Sequence, residues 1–207
     1  MTDLTKLKEK QDKECRKYQI IYADPPWSYN DKMGNDSAFM SATSAYNTMP
    51  VYDIKALKVE NISDTDCVLF LWVVSPLLRE AFEVMTAWGF KYKTIAFCWS
   101  KQTKTGRVVS NMGRWTMGNV ELCLLGTKGS PKRIIKDIKQ LVIDTRQGHS
   151  KKPDVVRQRI VELMGELPRI ELFARNDGGK NLFNENPLDG WDAWGNEVES
   201  DINITPS

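Results

Sequence analysis

The stretch that most limits how this chain can fold is Gln19-Ile20-Ile21-Tyr22-Ala23-Asp24-Pro25-Pro26-Trp27. A run of mostly apolar, strand-compatible residues meets a carboxylate, two prolines and an aromatic. Neither proline carries a backbone donor, so a sheet cannot continue through them. Their fixed φ makes the bend stiff. A buried strand therefore ends here and presents Asp24 and Trp27 at its carboxyl end. In open α/β sheets that end is where ligands bind.

Such a bend suits the methylation of an exocyclic amino group on a flat base. Trp27 offers a π-face. Asp24 and the Pro25 carbonyl accept hydrogen bonds from the amine, whose lone pair becomes more available as those bonds form. The plainer account is a strand-to-turn exit, because Asp and Pro are common turn residues. An Asp-Pro-Pro-Trp run by chance in this length is on the order of one in a few thousand. The strand in front of it favours the chemical account further.

The remaining elements follow from periodicity. Cys67 to Val74 is a continuous apolar run of strand length, suited to a parallel strand covered on both faces. Ser75-Pro76 starts a helix with proline at its first position. Leu78, Ala81, Phe82, Met85 and Trp88 follow at helical spacing, and Gly89 stands where a cap belongs. Further strands are expected at Tyr92–Trp99, Val120–Leu125, Leu141–Thr145 and Arg169–Ala174, and a short helix at Val51–Val59. Val156, Ile160, Leu163 and Met164 mark a last helix that ends at Gly165. Ser28 to Pro50 has neither period and reads as a long, substrate-facing loop. At 207 residues the chain suits one domain. The expectation is an α/β domain over 18–198 with a mostly parallel sheet and helices on both faces. A charged helix or arm at 1–17 precedes it and a disordered tail at 199–207 follows.

Charge is needed to choose among partners. The net charge is only +2, but Lys101 to Arg159 holds fourteen Lys or Arg against four Asp or Glu. Within it, Lys101, Lys104, Arg107 and Arg114 flank Trp115, a combination suited to phosphates and stacked bases. Lys132, Arg133, Lys136 and Lys139 would extend the same face. The alternative is a solvated charged surface. Lys152 precedes Pro153 at a helix start, where positive charge opposes the helix dipole. It either faces an anion, such as a cofactor carboxylate, or is an exposed residue that the helix tolerates. Cys15, Cys67, Cys98 and Cys123 form no C-x-x-C pair, and His149 is the one histidine. A zinc site or a Ser-His-Asp triad is hard to build from these, and no metal is expected. No apolar run approaches a membrane span and Met1 to Tyr18 lacks a signal-peptide core, so cytoplasmic residence is expected.

Asp24-Pro25-Pro26-Trp27 after a hydrophobic strand resembles the catalytic signature of a family of adenine-N6 methyltransferases. That family includes the eukaryotic mRNA-methylating enzymes and many bacterial and phage members. The resemblance runs from about Tyr18 to Val198, with weaker pieces in family order. These are Tyr46-Asn47-Thr48-Met49, the pair Lys152-Pro153, Phe173-Ala174-Arg175, and Trp194-Gly195-Asn196-Glu197. It implies a Rossmann-like fold in permuted order, with the catalytic motif first and the cofactor strand last. It implies S-adenosylmethionine as donor and the N6 of adenine as acceptor, without a metal. Asp24, Pro25, Pro26 and Trp27 would be catalytic. Tyr46 would line the substrate side with Lys101, Lys104, Arg107, Arg114 and Trp115. Asp24, Lys152, Phe173, Arg175, Asn176, Asn196 and Glu197 would hold the donor, Lys152 at its methionine end and Asn196 and Glu197 at its adenosine. Asn176-Asp177-Gly178 depart from the Pro-His-Asn of the eukaryotic enzymes. The bacterial and phage character of the C-terminus points to DNA. RNA adenosine is the alternative substrate, and a silent nucleic-acid-binding subunit the alternative role. So small a chain would be only weakly sequence-specific or would act as a homodimer.

Overall fold

The computed structural model describes residues 16–28, 48–111, 115–145, 151–175 and 190–206. In chain order the elements are β1 (Tyr18–Ala23), α1 (Val51–Ala56), β2 (Ser63–Val73), α2 (Leu78–Ala87), β3 (Lys91–Gln102), β4 (Val120–Lys128), β5 (Leu141–Thr145), α3 (Asp154–Met164), β6 (Arg169–Leu172) and β7 (Asp192–Trp194). All seven strands form one sheet in the order β5-β3-β4-β2-β1-β6-β7. β1 runs parallel to β2 and β6, β6 to β7, and β3 to β5. β4 is antiparallel to both of its neighbours. Six strands therefore share a direction and β4 alone is reversed, which agrees with the mostly parallel sheet read from the sequence.

Alternation along the strands sorts the core into two layers. Ile21, Ala23, Leu69, Leu71, Val73, Ile170 and Leu172 face α1 and α2. Ile20, Tyr22, Val68, Phe70, Trp72, Phe97 and Trp99 face α3, which contributes Val156, Ile160 and Met164. With both faces covered, β1 and most of β2 read as unbroken apolar runs rather than alternating ones. A 3-10 turn at Ser75–Leu77 carries the expected proline and leads into α2. Trp88 at its end is fully buried, and its indole N–H donates to the Ile54 carbonyl at 2.9 Å, tying α2 to α1. Gly89 follows at φ +81°, the left-handed conformation a helix end favours.

Several boundaries differ from the sequence reading, among them the end of β6, which stops at Leu172 rather than Ala174. β2 starts at Ser63, because pairing with Tyr18 at one edge and Lys128 at the other holds a polar stretch that no hydrophobic period marks. β7 is only three residues long, too short to show a period, and forms on the edge that β6 leaves open. The expected disordered tail is corrected most plainly. Ile204 is fully buried in the α1–α2 layer, Ile202 packs against that layer, and the Lys58 N–H donates to the Ile204 carbonyl at 2.8 Å. One branched side chain, invisible to composition, pins residues 199–206 to the domain. The expected helix within 1–17 lies outside the described residues except at Arg16 and Lys17.

Ile204→Ala removes a fully buried branched side chain and is expected to destabilise the fold by about 2–5 kcal/mol. Urea unfolding checks this. A loss under about 0.5 kcal/mol, the usual range for surface substitutions, would mean that the segment contributes nothing to the core.

Candidate active site

The site is built on four neighbouring strands, where β1, β2 and β3 end and β4 begins. Their order is β3-β4-β2-β1, with Trp72 opposite Cys123 and Trp99 opposite Glu121. Alternation places Asp24, Trp72, Glu121, Trp99 and Lys101 on the α3 side of the sheet. The residues just before α3 lie over this group and bring in Lys152.

The bend after β1 is fastened by backbone bonds. The Pro25 carbonyl accepts from the Trp27 N–H at 2.8 Å, closing a tight three-residue turn. The Pro26 carbonyl accepts from the Met49 N–H at 2.7 Å, and the Met49 carbonyl from the Ser28 N–H at 3.1 Å. The Trp27 indole donates to the Trp72 carbonyl at 3.0 Å while its ring packs, half-buried, on the α1–α2 layer. Trp27 is thus an anchor of the bend, and only its outward part is left for stacking. The Pro25 carbonyl keeps a second lone pair free of the turn.

Asp24 meets Lys152 through both of its oxygens, with the Lys152 Nζ at 2.7 and 2.6 Å from Oδ1 and Oδ2. The same ammonium lies 3.5 Å from Glu121 Oε2 and 5.5 Å from the centre of the Trp72 ring. The other Glu121 oxygen accepts from Lys101, whose ammonium sits 4.6 Å from the Trp99 ring centre. Charges therefore alternate along Asp24, Lys152, Glu121 and Lys101. Burial alone would push the Lys152 ammonium down, but Asp24 and then Glu121 outweigh it and raise it above the usual lysine value. Burial alone would push the Glu121 carboxyl up, but Lys152 and Lys101 reverse the sign and hold it below the usual value. Both groups are charged at neutral pH.

A second charged group fixes the height of α3. Arg157 grips both oxygens of Glu171 on β6, each at 2.7 Å, and reaches Asp154 at 2.9 Å. Its guanidinium lies 5.7 Å from the Tyr22 ring centre. The Tyr22 hydroxyl accepts from the Trp72 indole at 2.7 Å, and burial raises its pKa well above the usual value. Helix α3 is held to β6 and β1 only a few residues from Lys152.

The remaining expected site residues gather at the neighbouring strand ends. The Asp24 N–H donates to the Leu172 carbonyl at 3.4 Å, joining the bend to the end of β6. Phe173 follows at φ +63°, a rare conformation for a bulky residue. Its ring meets Trp194 edge-on at 5.5 Å, and the Ala174 N–H donates to the Trp194 carbonyl at 3.0 Å. A Cβ on Gly195 would stand 2.4 Å from the Ala174 carbonyl oxygen, so only glycine brings the exposed turn with Asn196 and Glu197 this close. Arg175 is half-buried beside it. A lysine, a glutamate and an asparagine at adjoining strand ends suit a ligand bearing a carboxylate and vicinal hydroxyls. This donor set fits S-adenosylmethionine.

The connection from β3 to β4 carries the basic residues. Its turn runs from Thr103 to Arg107 with Gly106 at φ +79°, and Asn111 bridges to Gly118. Lys104 and Arg107 are exposed, and Trp115 is 97% exposed. All lie at the sheet end that holds Asp24. Lys101 differs from expectation: it is committed to Glu121 and Trp99 at 17% exposure, so it is poorly placed for a phosphate. The expected extension of the basic face over Lys132, Arg133 and Lys136 is also corrected. The Ser130 N–H donates to Asp66 near the start of β2, and the Ile134 N–H to the Leu163 carbonyl near the end of α3, which puts this segment at the opposite end of the sheet. Tyr46, Arg114 and Asn176 lie outside the described residues, as does His149. Glu121, Arg157 and Glu171 escaped the sequence reading. Glu121 did leave a signal, as the only acid between Lys101 and Lys136.

Residues 18–197 match the profile of the MT-A70 family. The type II methyltransferase M.MunI of Mycoplasma sp is 35% identical over 199 residues, covering 88% of this chain and 78% of that protein. The N(6)-adenosine-methyltransferase MT-A70-like protein of Arabidopsis thaliana is 27% identical over 186 residues, covering 87% of this chain and 24% of its own. The human N(6)-adenosine-methyltransferase catalytic subunit METTL3 is 25% identical over 186 residues, with 88% and 28% covered. The chain spans about a quarter of the length of these plant and animal relatives.

Arg157→Met leaves the 8%-exposed Glu171 side chain without its guanidinium and is expected to cost about 3–5 kcal/mol. Pairing it with Glu171→Leu should recover most of that loss, because the buried carboxylate that lost its guanidinium is then gone too. Chemical denaturation of the two variants checks both, and a single variant that unfolds like the parent would dismiss the anchor.

Proposed function

The chain belongs to the MT-A70 family, and we propose that it transfers a methyl group from S-adenosylmethionine to the N6 amino group of adenine in DNA. The carrying observation is the stiff end of β1. There Asp24 and the unused lone pair of the Pro25 carbonyl stand side by side, next to strand ends that suit the methyl donor. DNA is favoured over RNA by the relatives. A relative matched over most of its length is named a type II methyltransferase, whereas relatives named for adenosine are matched over about a quarter of theirs.

The donor, when bound, supplies a methyl group already activated on a sulfonium. The protein's task is therefore mainly positioning. Lys152 would hold the donor's carboxylate, with Phe173, Arg175 and Asn176 along the end of β6 and Glu197 and Asn196 at the ribose and adenine. Asp24 and the Pro25 carbonyl would each accept one N–H of the target amine, turning its lone pair toward the methyl group. Asp24 acts as a hydrogen-bond acceptor, and the proton released from the methylated nitrogen passes to solvent. The outward part of Trp27 and Tyr46 would hold the base face. Lys104, Arg107, Arg114 and Trp115 would hold the strand, and a paired base would first be flipped out. In this reading the chain order is permuted, residues 18–198 act as one cytoplasmic unit, and two copies act together on DNA.

Labelled methyl transfer to unmethylated single- and double-stranded DNA and to matched RNA is the test. Label is expected in DNA adenine. Asp24→Asn keeps the shape but should lower transfer by on the order of a hundredfold or more, as loss of a single transition-state hydrogen bond does elsewhere. Binding of S-adenosylhomocysteine, read by calorimetry, should persist. Unchanged transfer in Asp24→Asn would remove the assigned role. Label confined to RNA would keep the chemistry and change the substrate. No label in any acceptor and no S-adenosylhomocysteine binding would leave a silent binding subunit.

A further inference from the structure

We infer that Glu121 is a positioning residue of methyl transfer: it takes up the Lys152 ammonium as Asp24 accepts the adenine amine. This rests on the methyl-transfer reading above and adds to it a residue that the reading does not use.

The difficulty that Glu121 resolves is visible in the geometry. Both Asp24 oxygens are occupied by Lys152, at 2.7 and 2.6 Å. The target amine must share one of them, and a shared oxygen holds each donor less tightly. Lys152 has three N–H donors, and with one on the methyl donor's carboxylate, another that leaves Asp24 must find a further acceptor or stay costly and unpaired. Water is scarce, since the Lys152, Asp24 and Glu121 side chains are 12%, 19% and 22% exposed. Glu121 Oε2 stands 3.5 Å from the same nitrogen, farther than either Asp24 oxygen, so it is a second anchor held in reserve. A small shift of the ammonium turns one contact into the other without a rotation of Asp24.

Lys101 sets that reserve. It binds the opposite oxygen of Glu121 and rests on Trp99, so Glu121 does not collapse fully onto Lys152 and strip it from Asp24. The strand register keeps these parts in place, because Glu121 pairs with Trp99 across β4 and β3. Trp72 lies under the ammonium and offers its ring face in either position. The task of Glu121 is to make Asp24 available.

Glu121→Gln decides the matter, because glutamine keeps the size and can still accept from a lysine but lacks the charge. In the intact chain its kcat for DNA methylation is expected to fall about tenfold or more, the worth of one charge-assisted hydrogen bond. Its Kd for S-adenosylhomocysteine should stay within about threefold, because Lys152 keeps its own charge. Glu121→Asp, which restores the carboxylate, should recover most of the rate. Unchanged transfer in Glu121→Gln overturns the inference. So does a loss of S-adenosylhomocysteine binding or of thermal stability that matches the loss of rate, which would make Glu121 a structural group. So does a Glu121→Asp rate no better than that of Glu121→Gln. A parent protein that methylates none of the acceptors refutes the methyl-transfer reading itself, a result separable from failure of the variants alone.

Discussion

Everything that makes a site of this sheet depends on a cation held over the end of β1. Lys152 belongs to the segment entering α3 and Asp24 to the bend after β1, so their contact joins the helical layer to the sheet where the chemistry sits. Two charges taken partly out of water gain little by themselves, because desolvation opposes attraction. The arrangement holds because it is not a lone pair. Glu121 and Lys101 continue the alternation, and each inner charge meets an opposite charge on both sides. Beneath them the grip of Arg157 on Glu171 fixes how far α3 stands from the sheet. Geometry at the proposed site thus rests on a second, more deeply buried charge pair.

The reversed strand has a consequence of its own. In a fully parallel sheet, a connection leaving β3 would cross back to the far end before the next strand began. Because β4 runs the other way, the β3–β4 connection stays at the end where Asp24 lies. Lys104, Arg107 and Trp115 are carried there, exposed beside the bend. The equally basic segment after β4 emerges at the opposite end. One change of strand direction therefore divides the basic middle of the chain into a part that can reach a nucleic acid at the site and a part that cannot.

Much of this was legible beforehand, for identifiable reasons. Burial on both faces wrote β1 and the core of β2 as apolar runs, and the two prolines marked the end of β1 to the residue. The α2 pattern and the glycine closing it were equally plain, because a 3.6-residue stripe and a left-handed cap leave local marks. What escaped was set by partners distant in sequence. Ser63 joins β2 because of Tyr18 and Lys128, and Ile204 belongs to the core because a socket exists near Lys58. Lys152 was read either as facing an anion such as a cofactor carboxylate or as an exposed residue that the helix tolerates, and it meets a carboxylate of the protein itself. That the carboxylate is Asp24 depends on a crossover no local pattern records. Lys101, read as a phosphate contact, is drawn inward by Glu121, whose isolation among basic residues was the available clue.

The end of β6 shows the same site from its strained side. Phe173 at positive φ costs on the order of 1–3 kcal/mol unless its surroundings impose it. They do: its ring is braced by Trp194, the next N–H is bonded to the Trp194 carbonyl, and Gly195 closes on the Ala174 backbone where any side chain would collide. An ordinary extended residue at 173 would carry β6 straight on and turn Arg175 to the other face. The left-handed step ends the strand instead and sets Arg175 beside the turn that bears Asn196 and Glu197. Since β6 lies against β1, the bend from the start of the domain and this step from its end become neighbours through the Asp24 N–H and the Leu172 carbonyl. Two rigid departures from regular strand, one made by prolines and one by a braced phenylalanine, thus face each other across a single hydrogen bond. A methyl donor and an amine could be held in line there without either segment having to move.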